Sequence, residues 1–179
     1  MLNAIRRSVG MQVSRFRFRK TRDKVMSFSR SFTDARDVLV VMPFDRGQLL
    51  KTVFVIDLLR KTFHEENLTF VTTERNQELR RMMPRSQFIP MSEKDRTLFH
   101  LPRPALLQRV NRKPYDLAVD LNLDFLLPSA YICKATNARV RIGLAKKRGD
   151  MFFNFQVRTG AEQGGKDVYE RLATCLQMF

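Results

Sequence analysis

The stretch from Asp37 to Lys61, DVLVVMPFDRGQLLKTVFVIDLLRK, constrains the fold more than any other part of the chain. Val38, Leu39, Val40, Val41 and Met42 form an unbroken apolar run ended by Pro43, the pattern of a parallel-sheet strand covered on both faces. Gly47 opens the next element. There Leu50, Val53, Phe54 and Leu58, flanked by Leu49 and Ile56, recur at helical spacing among Lys51, Asp57 and Arg60. Strand, short polar turn and amphipathic helix make a βα unit.

The alternation continues down the chain. Leu68 to Thr72 is a short β-branched strand, followed by a helix from about Glu74 to Met83 that Pro84 stops. Gln87 to Pro90 gives a weaker strand, and Arg103 to Val110 a helix within a basic, mixed segment. Tyr115 to Leu121 is the next clear strand, with an apolar helix after it through Phe125, Leu126, Leu127, Ala130, Tyr131 and Ile132. Val140 to Gly143 adds a strand, Lys146 to Gly149 a basic loop, and Met151 to Val157 a strand or edge. A closing helix runs from about Lys166 to Gln177, with Val168, Leu172 and Cys175 or Leu176 facing inward. Repeated β-α-β-α order predicts an α/β domain with one mostly parallel sheet and right-handed crossovers.

In such a sheet ligands bind at the carboxyl ends of strands, beside helix N-termini. The loop Phe44-Asp45-Arg46-Gly47-Gln48 falls there, with Lys51 one turn on. It has neither the G-x-G-x-x-G spacing of a dinucleotide fold nor the G-x-x-x-x-G-K-[ST] of a P-loop. Asp120 and Asn122 end a second strand two residues apart, so they point to one side and are placed to face the same crevice. The candidate ligand-binding residues are therefore Asp45, Arg46, Gly47, Gln48, Lys51, Asp120 and Asn122. The plainer readings are that Gly47 only turns the chain and that Asn122 and Asp124 only cap the following helix.

Length and composition bound the rest. The chain's 179 residues suit one domain with a core plus a tail, and its hydrophobic fraction of 44% with fifteen Phe argues for a globular body. No apolar run approaches the roughly 18–20 residues that a membrane-spanning helix needs. Cys133 and Cys175 stand far apart, and His64 and His100 have no ligand partners at metal spacing, so no metal or other cofactor is expected and a reducing, cytoplasmic compartment is the simplest setting.

The charge is uneven. Residues 1–36 hold ten Lys or Arg against Asp23 and Asp34, a net of +8 out of +15 for the whole chain. This sets a basic segment, 1–36, apart from a domain spanning 37–179. Within the segment Leu2, Ile5, Val9, Val13 and Phe16 keep helical spacing among Arg6, Arg7, Arg15, Arg17, Arg19 and Lys20. A basic amphipathic helix of this kind marks an anionic membrane surface or a protein partner. An extended Arg-Phe-Arg-Phe-Arg edge, a helix docked on its own domain, a nucleic-acid surface and an organelle-targeting peptide also fit. Ser27 to Thr33 reads as a polar linker.

Taken in order, VLVVMPFDRGQLLKT, LTFVTTERNQELRRMMP and YDLAVDLNLDFLLPSAYICKATNARVRIGLAKKR resemble the first strand, turn and helix, the second strand and helix, and the Y-D-hydrophobic-Asp-Leu to R-I-G segment of glycosyltransferase family 9, the bacterial lipopolysaccharide heptosyltransferases. The resemblance covers about residues 37–158. It implies a single Rossmann-like domain corresponding to the N-terminal, acceptor-binding half of a GT-B fold, in which a second such domain holds most of the sugar-nucleotide donor. It also implies a Gly-Asp pair in the turn, its aspartate acting as catalytic base. Here Gly47 is followed by Gln48, which cannot take a proton at neutral pH, and only Asp45 stands near enough in sequence to substitute. Lys51 falls where the family has His or Lys, and Asn122 where it often has Gln.

These readings point to a non-catalytic, pseudoenzyme-like binding or assembly protein, cytoplasmic or peripheral on the inner face of the membrane. The alternatives are half of a split glycosyltransferase completed by a donor-binding chain, and a nonspecific nucleic-acid-binding protein. The last has the weakest footing: the tail's aromatics are all Phe and no RNP, KH or helix-turn-helix pattern is present.

Overall fold

The computed structural model describes residues 2–21, 23, 26–73, 76–158 and 167–179, with the side chains of Arg46 and Gln77 outside that set. Six strands, β1 (Val38–Val41), β2 (Leu68–Thr73), β3 (Gln87–Met91), β4 (Leu117–Asp120), β5 (Val140–Leu144) and β6 (Phe155–Val157), form one sheet in the order β3-β2-β1-β4-β5-β6. Every pairing is parallel. Among the described residues eight α-helices accompany them: α1 (Leu2–Phe18), α2 (Phe28–Thr33), α3 (Arg46–Leu49), α4 (Val53–Thr62), α5 (Gln77–Met82), α6 (Pro104–Val110), α7 (Leu127–Ala135) and α8 (Val168–Leu176). The fold is the α/β, Rossmann-like arrangement that the repeated βα pattern predicts.

Strand alternation explains the two cores. Val38, Val40, Phe70, Leu117, Val119 and Ile142 face one side, where residues of α2, α4 and α8 cover them. Leu39, Val41, Val71 and Ala118 face the other, packed by Met11 of α1, Leu106 and Val110 of α6 and Ile132 of α7. All four residues of β1 are buried, as a central strand between two helix layers requires.

Several boundaries differ from expectation. The segment expected as a polar linker contains α2, because Phe28 and Phe32, one turn apart, give it an apolar side. Phe28 stacks on Phe155, and Phe32 meets Phe63 edge-on. The Arg15 to Arg19 stretch is helical up to Phe18 rather than extended, with Phe18 seated against Tyr131 and Phe152. Met151 to Val157 is not one strand: a 3-10 turn covers Gly149–Met151, Phe152 and Phe153 both turn into the core, and β6 begins only at Phe155. The start expected for α5, at Glu74, and for α8, at Lys166, lies outside the described residues. The inner face of α8 is led by Tyr169, with Leu172, Ala173 and Leu176; Val168 and Cys175 are only half-buried.

An ion cluster ties the basic N-terminal segment to the sheet. Arg141 on β5 is buried, donating Nε–H to the Phe152 carbonyl at 2.8 Å and one terminal N–H to the Ala138 carbonyl at 2.7 Å. Its other terminal nitrogen reaches Asp23 at 2.5 Å, and the buried Lys134 ammonium contacts the same carboxylate at 3.2 Å. Partial burial opposes ionisation of Asp23, but hydrogen bonds and charge from Arg141 and Lys134 prevail and hold it below the usual carboxylate range. Both cations lie almost wholly out of water, so removing the anion leaves two uncompensated charges.

Asp23→Asn is expected to lower unfolding stability by about 2 kcal/mol in denaturant titration, below the full penalty of a buried pair because Asp23 is a third exposed. A depressed carboxylate contributes stability above its unfolded pKa and loses it as pH falls through the folded one. The wild-type chain should therefore lose stability below about pH 4 more steeply than the variant.

Candidate functional site

The strand order reverses direction between β1 and β4: successive strands run outward from β1 to β2 and β3 on one side and from β4 to β5 and β6 on the other. Carboxyl ends diverge at such a switch point and leave a crevice. The loops after β1 and β4 both end there and meet through Phe44 with Asn122 and Gln48 with Leu123.

Asn122 is the link. Its Oδ1 accepts the Phe44 backbone N–H at 3.0 Å, fixing the loop after β1. Its Nδ2 donates to Asp120 Oδ1 at 2.7 Å and lies 3.4 Å from the Met42 carbonyl. Asp120 also accepts the Asn122 backbone N–H at 3.1 Å and, through Oδ2, the Ser129 hydroxyl of α7 at 2.9 Å. Asp120 does not face an open crevice beside Asn122: both are buried, 1% and 2% exposed, and Asn122 folds back over its neighbour. Burial pushes Asp120 upward in pKa, against the opposing pull of Lys146 and of the hydrogen bonds from Asn122 and Ser129.

Helix capping by Asn122 or Asp124 does not occur either. The N-cap position of α7 is Leu126, without a side-chain cap, and Pro in the first turn removes one N–H that would need a partner. Asn122 instead joins two loops nearly eighty positions apart in sequence. Lys146, from the basic loop after β5, donates its ammonium to the carbonyls of Asn122 and Asp124. Burial lowers the Lys146 pKa while Asp120 and Asp124 raise it.

The loop after β1 is shaped by Asp45. Its carboxylate accepts the Gln48 N–H at 3.1 Å, capping α3, and remains exposed. Gly47 lies beneath that carboxylate, where a Cβ would stand 3.2 Å from Oδ1. Gln48 turns its Oε1 toward the Leu123 N–H and the Tyr169 hydroxyl, each at 3.4 Å. Lys51 points to Asp167 at 3.5 Å, an exposed pair of little energetic weight. Arg46's side chain lies outside the described residues.

Tyr169 is the participant that pattern reading does not find. Fully buried on α8, it donates its hydroxyl to the Leu121 carbonyl at 2.8 Å, and burial holds its pKa well above that of a free phenol. The only sequence signal is a Tyr at an inward position of an amphipathic helix, since a buried phenol needs a partner. Beyond Lys146 the surface opens into a depression of about 490 Å³ lined by Lys146, Lys147, Asp150, Gln156 and Arg158. Among the described residues no three His, Cys, Asp or Glu come together as metal ligands.

No protein-family model matches the sequence, and no curated protein matches it. Among solved structures, the chain is similar to the crystal structure of the glycosyl transferase family 9 protein from Veillonella parvula DSM 2008, with a TM-score of 0.57 and 15% identity. The match takes in 80% of this chain and 40% of that one, so this chain spans less than half of the neighbour's length. The likeness is one of fold, and it supports a glycosyltransferase family 9-like α/β arrangement.

Asn122→Ala strands the Phe44 N–H and removes a donor from buried Asp120. It is expected to cost about 2–3 kcal/mol of stability and to speed amide exchange at Phe44 and Gln48. Tyr169→Phe, which removes one donor and keeps the ring, should cost about 1 kcal/mol by the same titration.

Proposed function

We propose that this chain is a binding or assembly protein built on the acceptor-side fold of glycosyltransferase family 9 and without transfer activity of its own. One observation carries the reading. At the position where the resemblance puts the acceptor base stands Gln48, its amide oxygen set toward the Leu123 N–H and the Tyr169 hydroxyl. An amide oxygen cannot take the proton of an attacking hydroxyl, so general-base assistance is lost there.

The neighbouring carboxylates have other work. Asp45 caps α3, and Asp120 is sealed under Asn122 and Ser129. Asp120 is thereby closed off from solvent, while Asp45 stays exposed and is the carboxylate that the test below removes. Of the polar groups there, Gln48 and Lys146 are only half-buried and retain the capacity to hold a ligand or a partner's loop by hydrogen bonds.

A split enzyme is the second reading, resting on Gln48 and Lys146, which stay half-buried at the switch point where a partner's groups could meet them. On that reading another chain brings the donor-binding domain and the missing carboxylate to the crevice. The two readings separate by experiment. Purified alone, the chain is expected to leave nucleotide sugars intact in the presence of lipid-linked or free sugar acceptors, with product formation followed by chromatography. Turnover by the isolated chain, abolished by Asp45→Asn, would overturn the non-catalytic reading. Co-purification from native cells of a nucleotide-binding glycosyltransferase half would favour the split enzyme.

A further inference from the structure

Helix α1 attaches to the body by the side opposite its apolar stripe. Its buried residues are Gly10, Met11 and Ser14. Gly10 presses so closely on the loop before α6 that a Cβ there would stand 2.2 Å from the Phe99 carbonyl oxygen, so the distance leaves room for glycine alone. Ser14 returns its hydroxyl to the Gly10 carbonyl at 2.8 Å, which satisfies it in this contact. Met11 and Phe18 complete the seat against the α7 side of the core.

The residues that give α1 its amphipathic pattern are elsewhere. Leu2, Ile5, Val9, Val13 and Phe16 are exposed by 63, 57, 37, 44 and 67%. At about 100° per residue they centre roughly 150° around the helix from the buried side. A helix held by its own hydrophobic stripe would turn those residues inward; this one turns them to solvent. The adjoining loop adds exposed Leu98 and Phe99.

The charges identify what covers the stripe. Arg6 borders it on one side and Arg15 on the other, Arg19 and Lys20 follow just past the helix end, Arg17 turns to the Tyr131 hydroxyl, and α1 contains no acidic residue. The Arg19 guanidinium lies over the Phe16 ring, 4.2 Å from its centroid, so cation and apolar group share one edge. A second copy of the chain is a poor occupant, since packing stripe on stripe would set these cations against one another. Nucleic acid would use the cations and leave the aliphatic stripe in water. A surface that offers anions in a plane above an apolar interior satisfies both.

We propose that α1 is an interfacial anchor that lays Leu2, Ile5, Val9, Val13 and Phe16 into an anionic lipid surface while its arginines meet the headgroups. Its length suits this role: at 1.5 Å per residue seventeen residues give about 25 Å. Among the described residues no helix is long and apolar enough to cross a membrane. The fold body is carried on the far side of α1, packed against Gly10 and Met11. This supplies a partner for the binding protein proposed above and rests on that reading only to this extent, because the sugar-nucleotide assay contains no vesicles and can fail independently.

The test is co-sedimentation of the full chain with phosphatidylcholine vesicles, with or without an equal part of phosphatidylglycerol. Binding is expected to the anionic vesicles only, and to weaken when salt shortens the screening length from its ~10 Å at 0.1 M. Ile5→Ser with Val13→Ser, both at exposed positions, should reduce that binding about tenfold or more with an unchanged thermal melt. The chain has no Trp, so Phe16→Trp places a single reporter on the stripe. Its emission should shift to the blue on the anionic vesicles, a readout that does not depend on the double variant folding. Equal binding to neutral vesicles, an unmoved Phe16→Trp emission, or a homodimer that the double variant dissolves would overturn the proposal. So would preferential binding to RNA or duplex DNA that the double variant leaves intact.

Discussion

An all-parallel sheet has no wet face, and this constraint governs the rest of the molecule. Because β1 and β4 run together at its centre, each must be covered twice, and the chain supplies helices to both sides from distant parts of the sequence. On one face α4 and α8 do most of this, with α2 added through Phe28 and Phe32. On the other, α6 and α7 leave room that α1 completes through Met11 and Phe18. The basic segment is therefore joined to the body by packing as well as by the Asp23 cluster, although its composition sets it apart.

The same topology creates the polar network at the switch point. Where β1 and β4 end, backbone groups of two diverging loops come together with few strand partners, and they need hydrogen bonds from side chains. Asn122 serves because its amide offers both an acceptor and donors, which a carboxylate does not. It accepts from Phe44 N–H and donates to Asp120 at once. Asp120 can then remain buried, its burial cost reduced in part by the Asn122 and Ser129 donors and the nearby Lys146 charge.

What the sequence discloses and what it conceals divide along physical lines. Continuous apolar runs such as Val38 to Met42 announce central strands, and the helical spacing from Leu50 to Leu58 announces the covering layer, because both patterns are local. The pairing of Asp120 with Asn122 was half legible: their two-residue spacing puts them on one side, but the back-folded amide that closes over Asp120 depends on Phe44, which lies nearly eighty positions away. Tyr169 and Asp23 were not legible as participants at all. Each acts on groups more than a hundred positions distant, Gln48 and Arg141, and no local period encodes such a contact. Phe28 and Phe32 hide in a Ser- and Arg-rich stretch for the opposite reason, since six residues are too few for a period to rise above composition.

A crevice that binds a substrate for chemistry must keep some polar groups unsatisfied until the substrate arrives, and it holds them at an energetic cost. At this switch point Asp45 is used to start a helix, Asp120 to anchor Asn122 and α7, and Tyr169 to hold the Leu121 carbonyl. Each of these contacts stabilises the folded chain. Gln48 enters the same set of contacts as an acceptor only, its Oε1 turned to the Leu123 N–H and the Tyr169 hydroxyl. The polar groups at this switch point are thus paired mainly with one another and with the backbone, and the stability of the two loops rests on that pairing.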